Sequence, residues 1–151
     1  MKVADVMSTA VEFIGGNAPV KEAAELMGEL DVGALPVGHE AGLDGIVTDR
    51  DVLFRVVASG LDPKTTLVRD IASRPVISCR DSDALQVAMD LMAANHIRRL
   101  PVRDDSGTVS GWVTLADISR KLLVESHGLQ DALRTLTEDG QATEDGQETP
   151  A

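Results

Sequence analysis

Cysteine occurs once, at Cys79, tyrosine is absent, and aromatic residues make up only 2% of the 151-residue chain. A single thiol excludes an intrachain disulfide and suits a reducing compartment. With hydrophobic content at an ordinary 43%, the core has to be assembled from Val, Leu, Ile, Ala and Met. No apolar run approaches the roughly 20 residues that a membrane helix needs. The opening Met-Lys-Val-Ala-Asp lacks the apolar stretch of a secretory signal, so a cytoplasmic location is expected. Positive charge is scarce as well. The formal net charge is −11, and residues 138–151 hold five acids with no Lys or Arg. Neither that segment nor the remainder offers the broad basic face that phosphate backbones demand, so neither nucleic acid nor an anionic membrane is an expected partner. A small phosphorylated ligand needs only a local cluster of donors and stays open. His39, His96 and His127 lie far apart and lack cysteine companions, which argues against a metal site. No nucleophile-base-orienter set and no glycine-rich phosphate loop occurs, so no enzymatic activity is expected.

What the chain does have is a duplication. VADVMSTAV at 3–11 answers VRDIASRPV at 68–76, ALPV at 34–37 answers RLPV at 99–102, and GIVTDRD at 45–51 answers GWVTLAD at 111–117. Between the first two elements, Val20, Ala23, Leu26 and Met27 match Leu85, Ala88, Leu91 and Met92. The offset is 65 residues through the proline-valine pair and 66 thereafter, so the second copy carries one additional loop residue. Ordered matches in register describe two copies of one small α/β unit and a pseudo-twofold body.

Each copy reads as β-α-β-β-α. In the first, 3–7 form a turn and 11–14 a strand. Asn17 is placed to cap the next helix, with Pro19 in its first turn. Val20, Ala23, Ala24, Met27 and Leu30 share one face of that helix. Strands follow at 35–37 and 43–47. A second helix from 49 or 50 to about 58 is expected to bury Val52, Leu53, Val56 and Val57. The second copy gives a turn at 68–72, a strand near 76–78 and a helix over 83–95. Strands around 100–102 and 109–113 then lead to a helix over 116–124. The expected organisation is a first unit at 1–60, a linker at 61–67 and a second unit at 68–124. A short helix at 125–136 follows, with Leu129, Leu133 and Leu136 on one face. An acidic, disordered tail is expected at 137–151, where TEDGQ occurs twice. One unit alone would leave an apolar sheet face exposed, and two packed sheet to sheet would bury it.

This order, the xLPV strand and the G-h-h-T-x-x-D turn together resemble the cystathionine-β-synthase (CBS) domain, and two in tandem resemble a CBS pair, or Bateman module. The resemblance covers residues 1 to about 124. It implies a regulatory module that binds AMP, ADP, ATP or S-adenosylmethionine as ligand, requires no cofactor, forms a homodimer through its helices and acts on a separate, unidentified protein. Carried onto this chain, Asp51 and Asp117 become acceptors for the ribose hydroxyls, with Thr48 and Thr114 beside the phosphates. The basic residues before the xPV strand are Arg98 and Arg99, against Gly33 and Ala34 in the first copy. The Asp117 cleft is therefore expected to take the charged nucleotide. Val11, Val32, Val76 and Ile97 are the candidates to enclose adenine.

The chemistry is coherent in its own terms. A vicinal diol offers two donors that one carboxylate can accept, and a charge-assisted bond is the stronger kind. A helix start adds backbone donors and a favourable dipole for phosphate, and arginine supplies a fork-shaped pair of donors. Plainer roles stand beside these. Each Thr-x-x-Asp also fits a helix capping box, and Arg98, Arg99 and Arg103 also fit a solvated basic face. Trp112 replaces a smaller residue in the second motif, packing in the sheet or narrowing a cleft. The alternative function is a dimerisation scaffold whose clefts have lapsed.

Overall fold

The computed structural model describes the backbone of residues 1–145 and side chains through Glu138. A first compact body spans Met1–Thr114, and a second begins at Leu115. The architecture is mixed α/β, with the repeated unit visible in the order of its elements.

In the first repeat a short 3-10 turn at Val3–Asp5 precedes α1 (Val20–Leu30), β1 (Ala34–His39), β2 (Gly42–Thr48) and α2 (Asp49–Val52). Helix α2 runs on as a π-helical turn over Leu53–Val57. The second repeat supplies α3 (Val68–Ile71), β3 (Cys79–Arg80), α4 (Leu85–Asn95), β4 (Arg99–Arg103) and β5 (Val109–Thr114), and α5 (Leu115–Glu125) follows in sequence. Strands β1 and β2 pair antiparallel, as do β4 and β5, each pair with a register shift after the repeated Pro-Val step, at Val37/Gly38 and at Val102/Arg103. The strand expected at 11–14 is reduced to one parallel bridge from Ile14 to Val37. The one expected near 76–78 forms later, at Cys79–Arg80, parallel to β4.

The repeats are stitched to each other by their opening segments. Ser8 pairs with Trp112 of β5, and Ser73 pairs with Ile46 of β2. Both approaches run past a glycine, where a Cβ would meet backbone. At Gly111 it would lie 2.8 Å from the Ser8 carbonyl oxygen, and at Gly45 3.1 Å from that of Ser73. The helix starts are satisfied the same way. The first free amides of α1, on Val20 and Lys21, donate to the Thr66 and Pro63 carbonyls, while Leu85 of α4 donates to that of Met1. This corrects the expected cap. Pro19 is the residue before α1, and Asn17 instead accepts from the Arg69 guanidinium at 3.0 Å. The linker has already supplied the acceptors that an Asn17 cap would have provided.

One core gathers Val20, Ala23 and Met27 of α1 with Leu35, Val37 and Val47 of the sheet, and closes with Val56 and with Val68 and Ile71 from α3. Helical and strand periodicity singled out those of α1, the sheet and Val56; Val68 and Ile71 lie in the segment read from sequence only as a turn at 68–72. The region after Asp51 differs from expectation. Val56 is buried, but Leu53 and Val57 are 54% and 66% exposed. The π turn, closed by the Ala58 amide on the Leu53 carbonyl at 2.9 Å, shifts the face that a regular helix would have buried.

In the second body, α6 spans His127–Asp145. It overlaps the segment 125–136 read as a short helix, beginning two residues later, and continues to Asp145 within the segment expected to be disordered. Between 137 and 145, Glu138, Gln141 and Ala142 favour helix, and Gly140 is the one strong breaker there. The rest of that expected tail lies outside the described residues. No helix among the described residues is long and apolar enough to cross a membrane.

Candidate functional site

The junction of β2 with α2 sets the centre of the site. Thr48 is the N-cap of α2, in extended backbone, and its hydroxyl oxygen accepts from the Asp51 amide at 3.1 Å. The Asp51 carboxylate returns the contact by accepting from the Thr48 amide at 3.0 Å. The capping box is thus formed in full. It does not use up the carboxylate, whose two oxygens offer about four acceptor positions. The Ser73 hydroxyl, brought in by the crossing segment, lies 3.0 and 3.2 Å from the two oxygens. Arg55 stands 3.8 Å away and is held there by donating to the Ile71 carbonyl at 2.7 Å. Asp51 is the one buried charged residue among those described, at 7% exposure.

Asp51 opens into a cleft of about 610 Å³ that both repeats line. From the first come Ile46, Thr48, Asp49, Arg50, Asp51 and Arg55. From the second come Ser73, Pro75, Ile77 and the run His96-Ile97-Arg98-Arg99. That run follows α4, which ends on His96 in the left-handed conformation (φ 53°), a region where His, Asn and Asp are enriched. Its equivalent after α1 is Asp31, also at φ 53°. Four guanidinium groups therefore share the cleft with two carboxylates, in a chain whose net charge is −11. Arg55 is engaged as described, and Arg50 stacks on the Phe54 ring at 5.1 Å from its centroid. Among the described residues no side-chain hydrogen bond or ion pair engages Arg98 or Arg99. The Arg99 guanidinium passes Gly33 so closely that a Cβ there would lie 3.1 Å from Nη1 and 3.0 Å from the Asp49 carboxylate.

Of the residues singled out from sequence, Thr48, Asp51, Ile97, Arg98 and Arg99 meet in this cleft, whereas Val11, Val32 and Val76 are absent from its lining. Ile46, Pro75 and Ile77 form the apolar wall instead. Val76 is only half-buried, while its neighbours Pro75 and Ile77 take the lining positions. The arginines also change partner. Sequence reading gave them to the Asp117 cleft, and they line the cleft that holds Thr48 and Asp51. Thr114 ends β5, and Asp117, in the first turn of α5, pairs with Arg120. Ser73 was missed, although its signal was present: both copies carry serine at the equivalent place, Ser8 and Ser73.

The remaining reactive group is Cys79. Burial, with Asp83 nearby, pushes its thiol from 9.0 up to about 11, so it stays protonated and unreactive at neutral pH. Among the described residues no three His, Cys, Asp or Glu side chains gather as a metal site.

A duplicated α/β unit with a polar, arginine-rich cleft walled by both copies defines a tandem-repeat module. The CBS domain model matches residues 3–58 and 68–124, and the chain belongs to the CBS domain family. It is 39% identical over 117 residues to the CBS domain-containing protein YhcV of Bacillus subtilis, covering 78% of this chain and 82% of that protein. Hypoxic response protein 1 of Mycobacterium tuberculosis is 35% identical over 119 residues, covering 78% and 82%. The crystal structure of Hypoxic Response Protein I, which has two coordinated zinc ions, matches with a TM-score of 0.71 at 34% identity, covering 80% of this chain and 98% of that one. The CBS domain pair of protein MJ0100, in complex with 5′-methylthioadenosine and S-adenosyl-L-methionine, matches with a TM-score of 0.74 at 27% identity, covering 83% and 98%.

Proposed function

We propose that this protein is a regulatory module whose Asp51 cleft binds an anionic adenine nucleotide, AMP, ADP or ATP, and reports its occupancy to a separate protein. The observation that carries this reading is the convergence of the Arg98 and Arg99 guanidinium groups, without side-chain partners among the described residues, on the cleft of a buried carboxylate. Asp51 keeps acceptor capacity for a ribose diol beyond its bonds to Thr48 and Ser73. The arginines supply bidentate donors to phosphate oxygens, and Ile46, Ile77 and Ile97 offer an apolar wall for the base. The adenosine ligands named for the MJ0100 pair support the nucleoside part. S-adenosylmethionine carries a sulfonium cation and suits this arginine-rich cleft less well. Thr114 and Asp117, which carry the same motif in the second repeat, keep the same proposed role there.

A ligand seated on residues of both repeats holds one arrangement of them, and it shifts any equilibrium only by its differential affinity for the two arrangements. The role is regulatory and not catalytic. A homodimeric scaffold is the second reading, favoured by the exposed apolar side chains of Leu53, Phe54, Val57 and Leu61. Calorimetric titration of the nucleotide-free protein with AMP, ADP, ATP and S-adenosylmethionine separates the two. Saturable binding of a phosphorylated ligand, weakened roughly 10- to 100-fold by Asp51→Asn, is expected for the sensor. Flat titrations with all four would leave the scaffold.

A further inference from the structure

Phe54 is one of only two phenylalanines in the chain, yet it lies 55% exposed on the π-helical turn and contributes little to the core. Its ring is covered by the guanidinium of Arg50, one turn earlier. Arg50 is the only one of the four cleft arginines held by an aromatic face. Stacking occupies the face of a guanidinium and leaves its in-plane N–H groups available to an anion. Arg55, by contrast, spends a donor on the Ile71 carbonyl. An arginine tethered in this way loses less side-chain freedom when a ligand arrives, so its tether contributes to affinity through preorganisation.

We infer that Phe54 is a positioning residue that holds Arg50 ready for a phosphate beyond the one taken by Arg98 and Arg99, so that the cleft favours nucleoside di- and triphosphates over monophosphates. This deepens the nucleotide reading and rests on it. Phe54 itself touches no phosphate. It acts through Arg50, and its removal therefore acts on the distal phosphate alone.

The test is calorimetry of wild type, Phe54→Leu, Phe54→Trp, Arg50→Ala and the Arg50→Ala/Phe54→Leu double variant, each titrated with adenosine, AMP and ATP, with thermal melts as a folding control. Phe54→Leu keeps apolar bulk and loses the ring. It is expected to weaken ATP binding about two- to fivefold while leaving adenosine and AMP as in wild type. Phe54→Trp is expected to retain wild-type ATP binding. The double variant is expected to bind ATP no more weakly than Arg50→Ala alone, because the ring has nothing left to position. Equal weakening of all three ligands by Phe54→Leu, unchanged ATP binding, or additive losses in the double variant would each overturn the inference while the nucleotide reading stands. Wild-type protein that binds none of the three would overturn both.

Discussion

In the proposed function, aspartate at position 51 does two jobs with one carboxylate, and the geometry makes them compatible. Accepting from the Thr48 amide fixes the helix start, and the remaining lone pairs face a cleft of ligand size. Thr48→Ala removes the cap and leaves the carboxylate in place. It is expected to cost about 0.5–2 kcal/mol of stability, measurable by urea unfolding. Position 33 is a second informative residue. Gly33→Asp places a carboxylate where the Arg99 guanidinium now passes, and it is expected to neutralise that cation and weaken nucleotide binding about tenfold in the same titration. Unchanged affinity would remove Arg99 from the site. Cys79 gives a prediction independent of ligand. Its pKa is raised on folding, from 9.0 to about 11, so its contribution to stability is complete below about pH 9 and is lost as pH rises towards 11. Denaturant midpoints of wild type should therefore fall more steeply over that window than those of Cys79→Ala, and the native thiol should resist alkylation at pH 8.

Among the elements, those fixed by local rules were legible in sequence and those fixed by crossing segments were not. Helix α1 followed from the spacing of Val20, Ala23 and Met27, and the β1–β2 and β4–β5 pairs followed from apolar runs around the LPV steps. The end of each first-repeat and second-repeat helix in a left-handed residue, Asp31 and His96, was marked by residue types that tolerate that conformation. The cleft that Arg98 and Arg99 line could not be read locally, because it depends on Ser73 crossing to β2 at Ile46 and drawing Pro75 and Ile77 with it. The π turn after α2 was equally hidden. Its sequence, LFRVV, carries an ordinary helical pattern, and only the Ala58-to-Leu53 bond marks it. The glycines at the crossings are the testable part. At Gly111 a methyl group would lie 2.8 Å from the Ser8 carbonyl, a backbone atom with little room to retreat. Gly111→Ala is expected to destabilise the protein by about 1–3 kcal/mol. Trp112, the sole tryptophan, is bonded to Ser8 in both directions at 2.8 Å, so its fluorescence reports the loosened pairing directly.

At the scale of the whole molecule, duplication explains both the resemblance between the repeats and the asymmetry of their chemistry. His96, Arg98 and Arg99 in the second repeat correspond to Asp31, Gly33 and Ala34 in the first, so one fold carries two different versions of the same loop. In a chain of net charge −11, four arginines against two carboxylates in a single cleft form a local reversal of sign, which suits the small anionic ligand proposed. Sequence alone supplied the repeats, the Thr-x-x-Asp pairs and the arginines. The assignment of those arginines to the Asp51 cleft required the fold. The most direct test is a crystal structure of the full chain grown with ADP. The account predicts nucleotide density in the Asp51 cleft, ribose hydroxyls on the Asp51 carboxylate and phosphate on Arg98 and Arg99. Density bound elsewhere, or an Asp51 cleft filled only by water at saturating ADP, would contradict it.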